Sequence, residues 1–207
     1  RMVARKVVQQ LATWKKRKQR IRPVSINFSY GQLCDEDFVS YLTTLLEEYG
    51  VARKLVRVDV KESLLVNDMA KAKRFIDELY QAGFGIAIDG FGAGYTSIPR
   101  VMQIPVDAVK LDRSLTEGLL AHVSCDPASS APETASEAAT SAADEAITSL
   151  INLVHEAGKI VVVEGVETLQ QLEVCRDKGC DVVQGFFFSE PLLPESVLRY
   201  KPPKISL

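Results

Sequence analysis

Ile86-Ala87-Ile88-Asp89-Gly90-Phe91-Gly92-Ala93-Gly94-Tyr95-Thr96-Ser97 is the stretch that decides the fold. Three apolar residues run into an acid, and three glycines follow within five positions. An apolar run closed by Asp and Gly predicts a fully buried strand that ends in a loop. The strand carries Asp89 to its carboxyl end, where α/β sheets place their chemistry. The glycines let the backbone pass close to a ligand, or they make a tight strand-to-helix turn. On this stretch alone both readings stand.

Working outward, the same unit recurs on either side. Period-two or unbroken apolar runs predict further strands over 24–29, 55–60, 106–112, 160–164 and 181–188. Amphipathic helices are predicted over 2–20, 35–49, 68–82, 147–157 and 168–178, with short ones near 97–102 and after Pro194. Asp35 reads as a helix cap. Gly50, Gly83, Gly158 and Gly179 each stand where a helix must stop. The basic run Lys15-Lys16-Arg17-Lys18-Gln19-Arg20 reads as a solvated helix end suited to the dipole. Strands alternating with helices imply a parallel sheet. Residues 124–146 break the pattern. This Ala/Ser/Glu-rich insertion has no large apolar residue and reads as mobile or loosely helical.

The chain has 207 residues, enough for one α/β domain with a sizeable core. Apolar residues make up 46% and charged residues 25%, the balance of a soluble protein. A net charge of −2 gives no basic field to attract DNA or a membrane surface. No apolar run reaches the length of a membrane span, and no secretory signal opens the chain. Cys34, Cys125, Cys175 and Cys180 form no CxxC pair, so reduced thiols in a cytoplasmic protein are expected rather than a zinc site.

A polar residue stands at or near the carboxyl end of each strand: Asn27, Asp59, Asp89, Lys110, Glu164 and Gln184. Any one of them reads as a rim residue. All six together suggest a barrel rim suited to hard divalent cations and a phosphate substrate. Asn27 alone can be a turn former or an oxygen ligand. Lys110 alone can be a solvated rim residue or a buried cation facing anions. A barrel aldolase with Lys110 as Schiff base is a further reading, but three nearby acids would keep that ammonium charged.

Six motifs then resemble one family in order. Ser25-Ile26-Asn27-Phe28-Ser29 resembles S-V-N-L-S, and Val58-Asp59-Val60-Lys61-Glu62-Ser63 resembles L-E-I-T-E-S. The stretch from Ala87 to Ser97 is similar to A-L-D-D-F-G-T-G-Y-S-S. Val109 to Ser114 resembles L-K-I-D-R-S, Val163 to Thr168 resembles A-E-G-V-E-T, and Gln184 to Pro191 resembles Q-G-Y-L-F-S-R-P. These are the motifs of the EAL domain, the family of cyclic di-GMP phosphodiesterases.

The resemblance implies an EAL-type (β/α)8 TIM-like barrel. It implies Asn27, Asp59, Asp89 and Glu164 at metal positions for Mg²⁺ or Mn²⁺. It places Lys110, Glu164 and Gln184 at catalytic positions, Glu62 as the anchor of the loop after Asp89, and Gly92, Gly94 and Phe188 against the ligand. It also implies cyclic di-GMP as ligand, and a homodimer or a partner domain within a larger bacterial signalling protein.

The departures are specific. The first two strands of the family, one bearing Glu-Ala-Leu, are not found in this sequence. Gly90 stands for the second Asp of D-D, Asp59 for a Glu, and Glu190 for a basic residue. Two-metal hydrolysis needs a full set of carboxylates around both cations. The expectation is a degenerate domain with weak metal binding, acting as a nucleotide-sensing or protein-interaction module. The alternative is an active metal-dependent phosphodiesterase yielding a linear dinucleotide. Open strand edges lead to a further expectation, that the chain self-associates or pairs with another segment.

Overall fold

The structure, a computed structural model, describes residues 1–19, 21–92, 98–115 and 136–203. Two compact units are present. One comprises Arg1–Asp89, Tyr95–Asp107 and Pro191–Leu207, the other Gly90–Gly94 and Ala108–Glu190.

In the first unit, helix α1 (Met2–Lys16) leads to strand β1 (Val24–Phe28). Helices α2 (Tyr30–Leu33) and α3 (Phe38–Glu48) and a single 3₁₀ turn precede β2 (Val56–Lys61). Helices α4 (Glu62–Asn67) and α5 (Met69–Gln81) lead to β3 (Gly85–Phe91), which passes into the second unit at Gly90. Helix α6 (Ile98–Met102) follows, and α9 (Pro194–Val197) lies in the C-terminal segment. In the second unit β4 (Ala108–Leu111), α7 (Ser136–Glu156), β5 (Ile160–Glu164), α8 (Leu169–Asp177) and β6 (Val182–Gln184) follow in order.

The strand pairs β1–β2, β2–β3, β4–β5 and β5–β6 are parallel. Asn27 is level with Asp59, Asp59 with Ala87, and Lys61 with Asp89. In the second unit Lys110 is level with Val162, and Glu164 with Gln184. Because strand side chains alternate, each sheet segment has two unlike faces. One face holds Ile26, Phe28, Val56, Val58, Val60, Ile86 and Ile88, all buried beside the helices. Phe28 meets Phe38 of α3 edge-on at 4.6 Å and Phe75 of α5 at 4.9 Å. Val109, Leu111, Val161 and Val163 continue this pattern in the second unit. The opposite face carries Asn27, Asp59 and Asp89 in one unit, and Lys110, Glu164 and Gln184 in the other.

The sequence expectations hold for six strands and for the four glycine stops, and several boundaries move. Helix α3 begins at Phe38, behind Asp37; Asp35 is taken instead by Arg1, whose guanidinium donates to it twice, at 2.7 and 2.5 Å. Helix α4 fills 62–67, where no element was predicted, and Asp68 caps α5 by accepting from the Lys71 N–H at 3.0 Å. The last strand stops at Gln184 rather than Phe188. There the backbone turns, and Phe187 N–H donates to Val166 O at 3.0 Å.

Helix α7 begins at Ser136, not Ile147. Alanine and glutamate are strong helix formers, so 136–146 extends the helix without adding an apolar face. Residues 124–135 of the expected insertion lie outside the described residues. Among the described residues no helix is long and apolar enough to cross a membrane.

Candidate functional site

In the first unit the polar face is built by register. Asn27 and Asp59 are neighbours across β1 and β2, and Asp89 stands two residues further along β3, level with Lys61. Asn27 is exposed, whereas Asp59 is only 1% exposed and Asp89 is half-buried. A carboxylate this buried costs free energy unless a cation or donors face it. The donors are all oxygens, the preference of hard cations. They are few: an amide and two carboxylates on these three strands. Among the described residues no group of three or more His, Cys, Asp and Glu side chains converges as a metal site would require.

Glu62 opens α4 and is 2% exposed. Its charge suits the positive end of that helix. Most of the loop it was expected to anchor lies outside the described residues, as does Gly94.

In the second unit Lys110 Nζ donates to Glu164 Oε1 at 2.9 Å. The lysine side chain is 13% exposed and its Nζ is held by an acid, which argues against a Schiff-base role. Gln184 is level with Glu164 and exposed. Val166 N–H donates to Gln184 O at 3.1 Å, tying the loop after β5 to the end of β6. Phe188 is half-buried and packs edge-on to Phe187 at 5.2 Å.

The glycines of the loop after Asp89 have distinct reasons. Gly92 has φ +98°, and a Cβ there would stand 2.0 Å from Leu115 Cδ1. The left-handed backbone favours glycine there, and any Cβ would also force the Leu115 side chain to move, independently of any ligand. Gly90 has φ +71°, with open space except for Asp112 Oδ2 at 3.6 Å from the position of a Cβ. Asp112 is an acid that the strand-end reading passed over. Its N–H donates to Phe91 O at 2.8 Å, and its Oδ1 accepts from Ser114 N–H at 2.8 Å. The signal was present in the sequence as the second polar residue of Lys110-Leu111-Asp112.

The EAL domain profile matches residues 1–191. The chain belongs to the EAL domain family. It is similar to the signaling protein YkoW of Bacillus subtilis, at 31% identity over 86% of this chain and 20% of that protein. It is also similar to the cyclic di-GMP phosphodiesterase PA2567 of Pseudomonas aeruginosa, at 28% identity over 94% of this chain and 30% of that one. Among solved structures, the PaMucR phosphodiesterase in its c-di-GMP complex superimposes with a TM-score of 0.79 at 25% identity, over 95% of this chain and 72% of that one. The fold class is thus that of the EAL-type TIM-like barrels, with six parallel-sheet strands among the described residues. The chain spans less than a third of the length of the two curated relatives.

Proposed function

We propose that this EAL domain works in cyclic di-GMP signalling as a nucleotide-sensing module whose hydrolytic centre is impaired. The observation that carries the reading is Gly90, a left-handed glycine where the family motif has its second aspartate. Asn27, Asp59 and Asp89 are the donors assigned to one cation, Mg²⁺ or Mn²⁺, and Glu164 to a second. Bound metal would polarise the phosphodiester and lower the pKa of an attacking water. Without a carboxylate at residue 90 fewer oxygen donors would hold the cations, and that activation would be weak.

Lys110 is assigned to the phosphate charge and Gln184 to an ordered water. Gly92, Gly94 and Phe188 are assigned to the nucleotide. The domain acts inside a longer cytoplasmic signalling protein, and the family resemblance supports a homodimer. Among the described residues β1 pairs only with β2, and β6 only with β5, which is consistent with further strands or a partner on those edges.

Calorimetric titration with cyclic di-GMP, with and without Mg²⁺ or Mn²⁺, tests the reading, with chromatography of the mixture afterwards. Heat of binding without linear dinucleotide is expected. Steady formation of linear dinucleotide would overturn impairment and install the second reading, an active phosphodiesterase, which retention of the Lys110–Glu164 pair favours. Absence of binding heat in every arm would leave a protein-interaction module.

A further inference from the structure

Four helices end with one and the same cap. After α3, Val51 N–H donates to Leu46 O at 2.9 Å and Gly50 N–H to Glu47 O at 3.0 Å. After α5, Phe84 pairs with Leu79 and Gly83 with Tyr80 in this way, and after α7, Lys159 with Val154 and Gly158 with His155. After α8, Cys180 N–H donates to Cys175 O and Gly179 N–H to Arg176 O, both at 2.9 Å. Each glycine has positive φ, between +61° and +80°. This double bond pattern is the Schellman motif, which brings the side chain after the glycine onto the one five residues earlier. In α3 and α5 that pair is apolar and buried, Leu46 with Val51 and Leu79 with Phe84. In α8 both members are cysteines.

We propose that Cys175 and Cys180 are a dithiol modification site that closes to an intramolecular disulfide by exchange with a small soluble disulfide. The cap holds the two cysteines together in the folded state, with Cys180 N–H on Cys175 O at 2.9 Å, and the two side chains perturb one another's pKa. Cys175 is 0% exposed, whereas Cys180 is half-buried and reaches solvent. An oxidant therefore meets Cys180 first. The Cys180 sulfur bonds to one sulfur of the small disulfide, whose other half leaves as a thiolate. The Cys175 sulfur then attacks Cys180 Sγ, and the second half leaves. Two protein thiols are oxidised, one small disulfide is reduced to two thiols, and the two thiol protons pass to the leaving thiolates. Contact between the two thiols lowers the Cys175 pKa and raises that of Cys180. Burial of Cys175 behind the more accessible Cys180 suits it as the resolving nucleophile. A metal is a poorer occupant, because no third His, Cys, Asp or Glu converges on the pair among the described residues.

The placement gives the bond a structural effect. Cys180 precedes Asp181, whose Oδ2 accepts from Val161 N–H at 2.7 Å at the start of β5. Closure would tie the end of α8 to the start of β6, beside that contact.

The test uses Cys34→Ser/Cys125→Ser protein equilibrated in graded oxidised and reduced glutathione, acid-quenched and mapped by mass. We expect a Cys175–Cys180 disulfide, two hydrogens lighter and free of glutathione. Its equilibrium constant should be about tenfold or more above that of the same chain in concentrated guanidinium, because the native cap pre-pays the approach of the thiols. Adding Cys175→Ser should trap glutathione on Cys180. A native constant equal to or below the denatured one would overturn the proposal. So would a persistent glutathione adduct on Cys180 with Cys175 intact.

Discussion

Lys110 Nζ and Glu164 Oε1 stand 2.9 Å apart, the lysine on β4 and the acid two residues further along the neighbouring strand β5. Their side chains are 13% and 35% exposed, so the pair lies between the surface and the buried limits. Exposed pairs are worth about 0–1 kcal/mol, and breaking a buried one costs about 3–5 kcal/mol. Lys110→Met and Glu164→Gln should each cost about 1–2 kcal/mol in urea denaturation. The double variant should cost less than the sum, with a coupling of about 1 kcal/mol. Strict additivity would mean that the contact contributes nothing to stability.

Gly185 sets where β6 ends. A Cβ there would fall 1.9 Å from Val166 O and 2.4 Å from Val166 N, both rigid backbone. The same Val166 groups bond Phe187 N–H and Gln184 O. Gly185→Ala must push the two segments apart and break both bonds. A loss of about 2–4 kcal/mol is expected by chemical denaturation. An alanine variant as stable as the parent would show that the loop after β5 gives way freely.

Much of this was legible beforehand, for reasons that differ by element. The four helix stops were readable because the left-handed position after a helix selects glycine. The strand cores were readable from runs such as Ile160-Val161-Val162-Val163. Helix α4 escaped because six residues are too few to show a helical period. The early start of α7 escaped because a segment without large apolar residues signals nothing by periodicity, while alanine propensity alone extends the helix. In the site, the strand-end residues could be named but their levels could not. Register depends on pairing between distant segments, and it is register that makes Asn27 and Asp59 neighbours and sets Asp89 two residues beyond them. Asp112 was passed over because its place beside Gly90 depends on a backbone turn.

Asp181 provides a pH handle. Burial pushes its carboxyl up, but the Val161 N–H and the His155 ring outweigh that and hold it below the ordinary value of 3.8. A carboxyl depressed by folding contributes stability above its unfolded pKa and loses it as pH falls through the folded one. Asp181→Asn keeps an acceptor for Val161 N–H and removes the charge. The variant should be less stable than the parent at neutral pH, and the gap should close below pH ~3.8. A gap that stays constant down to pH ~2 would assign the effect to packing.

Among the residues of helix α7 whose side chains are described, Ile147, Leu150, Ile151 and Val154 are buried and apolar. Removing 124–146 behind a short Gly/Ser bridge leaves all of them in place. The thermal midpoint should change little. By contrast Ile151→Ala, at a residue 1% exposed, should cost about 2–4 kcal/mol. Collapse of soluble yield in the deletion would show that the early turns of α7 pack on the rest of the protein.

Gly90→Asp should make stability depend on a divalent cation. The residue sits at φ +71°, which costs an L-residue about 1–2 kcal/mol, less for Asp than for most. The new Cβ would lie 3.6 Å from Asp112 Oδ2, so a second carboxylate would be placed close to an existing one. Like charges this close repel, and the pair resists joint ionisation. In chelator at neutral pH the variant should therefore melt below the parent. A hard cation between the two acids removes the repulsion and binds only the folded state, so it stabilises by mass action. Titrating Mn²⁺ should raise the variant's midpoint steadily while the parent's rises less. If Mn²⁺ lifts both midpoints equally, residue 90 lies outside the metal's reach and the loss of its carboxylate cannot account for impaired catalysis. If the parent binds two Mn²⁺ tightly without the substitution, impairment itself is refuted.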